Sequence, residues 1–227
     1  MTGSERLSQE DAILRQIRLT ISTFRTMDPQ GPGSDVVRHR KGVMYASYPI
    51  TSGKRLYLAM LKLGFKTADE FRRQAPERFR RLVLQPNIKE GHRFGNWLRD
   101  KGWPLTIVPS SLYARDWNQE HYMSLWRQVI IIFSRTVGLD GEEFPFSMGS
   151  AEEFVIGLQH RKRLVLRRRV VRGAPELVLV DPSTCLLAIR RATDQIDAWG
   201  FDPMPMYNIW RLGELTLEAQ KPTLKTA

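Results

Sequence analysis

Phe144-Pro145-Phe146-Ser147-Met148-Gly149-Ser150-Ala151-Glu152-Glu153 is the stretch on which the fold turns. It follows an apolar run that ends in Asp140-Gly141. A strand, a turn that needs glycine, and a helix opening with a hydroxyl and a carboxylate predict a pocket floor at the end of a parallel sheet. In open α/β sheets ligands bind outside the carboxyl ends of the strands. Helix starts placed there offer unpaired N–H groups and a positive dipole end to an anion. A carboxylate one turn into such a helix is a candidate nucleophile.

Working outward, residues 43–48 form a short apolar run before Pro49 and predict the first strand. Residues 55–63 read as a helix closed by Gly64. Residues 67–84 are helical and rich in arginine, Pro86-Asn87 breaks them, and residues 92–101 make a further helix closed by Gly102. Residues 105–108 predict the second strand. A helix follows from 119 to about 134, with Tyr122, Trp126, Val129, Ile130 and Phe133 mostly on one face. Residues 135–139 predict a third strand, although so short a run fits either period. After a helix over 151–160, strands at 164–166 and 177–180 read as a hairpin around Gly173-Ala174-Pro175. Residues 182–199 are the last helix, capped by Gly200. Strands alternating with helices argue for a three-layer α/β domain, a mainly parallel sheet flanked by helices in the flavodoxin or Rossmann manner.

Ahead of it, residues 8–25 show Ile13, Ile17, Ile21 and Phe24 at helical spacing with Arg15 and Arg18 outward. Asp28-Pro29-Gln30-Gly31-Pro32-Gly33-Ser34 then has the chemistry of a linker. The expected organisation is a helical arm and linker over 1–35, the α/β domain over 36–215 and a flexible tail over 216–227. The arm is expected to pack on the domain or on a second subunit. The aromatic-rich segment Met204-Pro205-Met206-Tyr207-Asn208-Ile209-Trp210 is a second candidate for subunit contact.

Of the 227 residues 42% are hydrophobic, enough for one domain with a proper core plus an extension. No apolar run approaches the roughly 20 residues that span a bilayer, and no signal-peptide pattern opens the chain. The single cysteine, Cys185, excludes an intrachain disulfide and a Cys-rich zinc site. A cytoplasmic location is expected. His39, His92, His121 and His160 are scattered away from acid clusters, so neither a metal site nor a cofactor is expected. Phosphate-loop, dinucleotide and nucleophile-elbow motifs are absent. The net charge is +11, and Arg161, Lys162, Arg163, Arg167, Arg168, Arg169 and Arg172 stand together without an acid. Such a cluster suits a nucleic-acid backbone and equally a solvated basic face.

Two motifs fall at the ends of candidate strands: Tyr45-Ala46-Ser47-Tyr48-Pro49-Ile50-Thr51-Ser52-Gly53-Lys54, and Ser147 through Glu153. Together they resemble the nucleoside 2-deoxyribosyltransferase family, and most closely its branch of 5′-monophosphate N-glycosidases. The similarity spans residues 43 to about 160. It implies that Glu153, four residues after Gly149, is the nucleophile and that Tyr45 holds its carboxylate. It implies that Ile50, Gly53 and Lys54 form a first phosphate loop, that Ser147 and Gly149 complete the phosphate site, and that the protein is at least a dimer. Ser147 stands where the transferases carry Asp, which favours hydrolysis over transfer. Asp140 is expected to line the pocket near the sugar or base.

The chemistry suits these residue types. Breaking an N-glycosidic bond creates oxocarbenium character at the anomeric carbon, which a carboxylate beneath the ring stabilises or attacks. The plain structural alternative is that Ser150-Ala151-Glu152-Glu153 is an S-x-x-E capping box, with Ser150 and Glu153 satisfying helix-terminal amides. The functional expectation is an enzyme cleaving or exchanging the N-glycosidic bond of a (deoxy)nucleoside 5′-monophosphate. The alternative is a basic nucleic-acid-associated or nucleotide-sensing protein on the same scaffold.

Overall fold

Residues 44–48 alternate between two destinations, and that alternation builds the molecule's layers. Met44, Ala46 and Tyr48 pack with Phe94, Leu98, Trp103 and Val108 on one face of a sheet. Tyr45 points to the other face, into a cluster with Val137, Leu139, Leu164, Leu125, Val129 and Phe154. Successive side chains of a strand leave on opposite faces, so residues 45 and 47 share a side. The structure, a computed structural model of the chain, describes residues 3–26, 42–112, 117–170 and 173–220.

Five strands form one sheet in the order β2-β1-β3-β4-β5: β1 (Met44–Ser47), β2 (Thr106–Ile107), β3 (Thr136–Asp140), β4 (Arg163–Arg168) and β5 (Glu176–Leu179). The first four are parallel, and β5 runs antiparallel to β4, as the expected hairpin requires. Helices α2 (Lys54–Leu63), α6 (Gln119–Ile132), α7 (Met148–Gln159) and α8 (Pro182–Ala198) supply the cluster on the Tyr45 face. Helix α5 (Gln85–Asp100) covers the other. Small residues bring these layers close. A Cβ on Gly138 would lie 3.1 Å from Met44 Sδ, and one on Gly157 would lie 3.1 Å from Leu164 Cδ2.

Two expectations need correction. Pro86 does not break the chain's helical course. Helix α3 (Ala68–Gln74) is followed by α4 (Pro76–Phe79), a five-residue π-turn over Arg80–Leu84, and then α5, with Pro86 in its first turn. In the wider turn the Gln85 N–H donates to the Arg80 carbonyl five residues back. The extra residue changes the carbonyl spacing with which a proline ring would otherwise clash. Nor is α8 the last helix. Segment 204–210 opens α9 (Met204–Ala219), which packs against α7 and α8, burying Met206, Ile209 and Gly213. Pro205 falls in its first turn, where a missing N–H costs nothing.

The arm forms α1 (Gly3–Thr26), with Ile13, Leu14 and Ile17 against the core and Ile21 buried. It rests on α6 and the residues just ahead of it: Trp117 Nε1 donates to Gln9 Oε1 at 2.9 Å, and Gln128 Nε2 donates to Glu10. The expected linker, His39, Arg172 and residues 221–227 lie outside the described residues, as does the side chain of Phe24. Among the described residues no helix is long and apolar enough to cross a membrane. Among them no group of three or more His, Cys, Asp or Glu is placed to hold a metal ion.

Candidate functional site

The site is built where β1 and β3 end side by side, paired through Ser47 and Leu139. Tyr45 and Ser47, two residues apart, face α7 from β1, and α7 turns Glu153 toward them. The Tyr45 hydroxyl donates to Glu153 Oε1 at 2.5 Å, and the Ser47 hydroxyl donates to Oε2 at 2.6 Å. Each carboxylate oxygen therefore has a fixed donor. The Tyr45 ring is held against Trp126, with centroids 6.1 Å apart.

Glu153 is 5% exposed and has no cationic partner among the groups that perturb it. Burial pushes its carboxyl up to about 7. The Ser47 and Tyr45 hydrogen bonds pull it back, and the neighbouring Glu152 adds a smaller upward push. Burial and the nearby carboxylate likewise raise the Tyr45 phenol well above its ordinary value, so it stays a donor.

Glu153 takes no part in a capping box. The residue that caps α7 is Ser147, whose Oγ accepts from the Ser150 N–H at 3.3 Å. Ser147 thus lies one full turn ahead of the Ser150 start that the S-x-x-E pattern suggests. Its hydroxyl also pairs with that of Ser52, 2.8 Å away, so one short contact joins the β1–α2 turn to the start of α7. Gly149 is the second residue of α7 and faces Gln119 and Met123 at the start of α6.

The β1–α2 turn carries the other expected residues. Gly53, at φ 89°, is the residue preceding α2. Lys54 Nζ stands 5.5 Å from the centroid of the Phe146 ring, and the Lys54 backbone N–H donates to Glu143 Oε2 at 3.0 Å. The Ile50 carbonyl accepts from Asn87 Nδ2 at 3.1 Å, and the Ser52 carbonyl accepts from the same atom at 2.9 Å. Asn87 is fully buried and its Oδ1 accepts from Arg55 Nη1 at 2.5 Å. The long segment between α2 and β2 therefore has a structural use: it delivers Asn87, which ties down the turn beside Ser147.

Asp140 is the final residue of β3, and its carboxylate is committed to the protein. Arg167 binds Oδ2 through Nε at 2.6 Å and again through Nη2. The N–H groups of Glu142 and Glu143 donate to Oδ1 at 3.3 and 3.1 Å. Arg167 in turn lies over the rings of Phe94 and Trp97. Of the basic cluster, Arg168 pairs with Glu176 and Arg169 with Glu142, while Lys162 Nζ donates to the Ile131 carbonyl. The acids missing from the run itself arrive from the end of β3, the turn after it and β5.

Ser47, Ser52, Asn87, Arg55, Glu143 and Arg167 join the site without having been singled out as site residues from sequence. Ser47 had a readable signal, since position i+2 on a strand shares the face of Tyr45. The others come together only through tertiary contacts. Compared with known proteins, the chain matches no family model, no curated protein and no solved structure.

Proposed function

We propose that this protein breaks the N-glycosidic bond of a (deoxy)nucleoside or its 5′-monophosphate, with Glu153 as the nucleophile. The observation that carries the reading is a buried, cation-free carboxylate held at both oxygens by Tyr45 and Ser47 at the carboxyl end of a parallel sheet. The strand order supports a flavodoxin or Rossmann-like assignment for the domain. In that order β1 and β3 flank the point where the sequence of strands reverses, the usual place for a ligand.

In the reaction a Glu153 oxygen bonds to the anomeric carbon as the bond to the base nitrogen breaks, and the base nitrogen takes a proton from solvent, which the later hydrolysis of the ester returns. Water then cleaves the glycosyl ester, which returns the carboxylate and releases the sugar. Two fixed hydroxyl donors keep both carboxylate oxygens aimed, and a buried setting strengthens the attraction to a developing oxocarbenium ion. Hydrolysis is favoured over transfer by Ser147, which brings a hydroxyl where the resembling transferases bring a carboxylate. Chromatography of released base from a panel of nucleosides and nucleotides tests the proposal. Wild type should release base, and Glu153→Gln should lower kcat by at least about a thousandfold. Equal turnover by both proteins would end it.

A further inference from the structure

The turn that the sequence marks as a phosphate loop already holds an anion of the protein's own. Glu143, three residues past the end of β3, accepts the Lys54 N–H, and the Arg55 N–H gives the same carboxyl a second hydrogen bond. Gly53 makes this approach feasible, because a Cβ there would lie 2.7 Å from Glu143 Oε2. The start of α2, whose N–H groups and dipole would draw a phosphate, is thus occupied by a side chain from 89 residues further along the chain.

The two guanidinium groups around it are committed as well, while the Lys54 ammonium lies over the Phe146 ring. Arg55 bonds Asn87 and draws the Glu143 carboxyl down against the upward push of burial. Arg167 is bound to Asp140. Burial raises the pKa of the buried Tyr48 phenol, and Asp140 and Glu143 both raise it further, so two carboxylates converge there. A doubly charged phosphate entering between the starts of α2 and α7 would meet Glu143 with no uncommitted guanidinium from Arg55 or Arg167, and like charges in such a setting repel. A hydroxyl would meet the opposite: the Ser52 and Ser147 hydroxyls can donate or accept, and the Glu143 carboxylate accepts a proton donor.

We infer that Glu143 is a specificity-determining residue that fixes the 5′ end of the substrate as a neutral hydroxyl and rejects a 5′-phosphate. This inference rests on the N-glycosidase reading above and narrows its substrate to nucleosides. The test compares the four 2′-deoxynucleosides with their 5′-monophosphates on wild type, Glu143→Gln and Glu143→Ala. Gln keeps an oxygen for the Lys54 N–H while removing the charge, and Ala opens the space. Wild type should favour the nucleoside at least about tenfold in kcat/KM, and both variants should move the ratio about tenfold or more toward the monophosphate. A wild-type preference for the monophosphate, or a ratio unchanged in both variants, overturns the inference. If no protein releases base, the glycosidase reading fails, and the inference is then decided by calorimetric affinities for the same ligand pairs. The same shift in Kd ratio would sustain it, whereas an unchanged ratio, or no binding of either ligand, would defeat it.

Discussion

Glu153 and Asp140 are carboxylates buried at the same end of the sheet, 5% and 3% exposed, yet they are compensated in different ways. Asp140 has a guanidinium on one oxygen and two backbone N–H groups on the other. Burial still lifts its pKa, with Arg167 the largest opposing influence. Glu153 has two hydroxyl donors and no cation, and its carboxyl rises to about 7. A buried charge with a partner of opposite sign serves as a clasp, here joining the ends of β3 and β4. A buried carboxylate left with neutral donors is costly to the fold when ionised, and its pKa shifts accordingly.

Removing each charge should therefore move stability in opposite directions. Asp140→Asn leaves Arg167, 20% exposed, without its counter-charge. The loss should be about 3 kcal/mol, at the lower end for broken buried pairs because the guanidinium reaches solvent. For Glu153 the folded pKa, about 7, exceeds the ordinary 4.5. The folded state thus holds the proton longer, and wild-type stability declines as pH rises from about 4.5 to 7. Glu153→Gln removes that decline. At pH 8 it should be more stable than wild type by about 2 to 3 kcal/mol, a gain of several degrees in Tm. Thermal melts of both variants between pH 4 and 8 measure this. A Glu153→Gln protein no more stable than wild type at pH 8 would break the comparison.

The same asymmetry should govern the chemistry. On the proposed reading only ionised Glu153 attacks, so kcat/KM should rise with pH through a midpoint near 7 and flatten above it. A pH profile of base release checks this, and a midpoint near 4.5 would mean that substrate reaches a solvated carboxylate. Tyr45→Phe removes a hydrogen bond to the charged form. It should move the midpoint about one unit upward and cut the rate at neutral pH about ten- to hundredfold.

What the sequence disclosed of this arrangement follows physical range. The apolar run over residues 43–48 was enough to place the first strand, and the Ser147–Glu153 pattern located the helix that α7 forms. Local rules misjudged Pro86, because a π-turn supplied by the preceding residues absorbs it. They also ended the helices at residue 199 and missed α9, whose Met206 and Ile209 are buried against α7 and α8. Asn87, Arg55 and Glu143 were out of reach for another reason. They act through contacts spanning 32 to 89 residues, and neither period nor composition marks such contacts.

The smallest expected effect is also the one that best separates a poised carboxylate from a merely buried one. Ser47→Ala deletes the donor to Oε2 and leaves Tyr45 on Oε1. It creates little cavity, so stability at pH 5, where Glu153 is largely protonated, should change by less than about 1 kcal/mol. The ionised form should suffer more than the neutral one, because hydrogen bonds to charged groups are the stronger kind. The midpoint of the activity profile should therefore rise by about half a unit to one unit, with the plateau rate above it reduced less than in Tyr45→Phe. A uniform drop in rate with an unmoved midpoint would mean that Ser47 merely packs, and that Tyr45 alone orients the nucleophile.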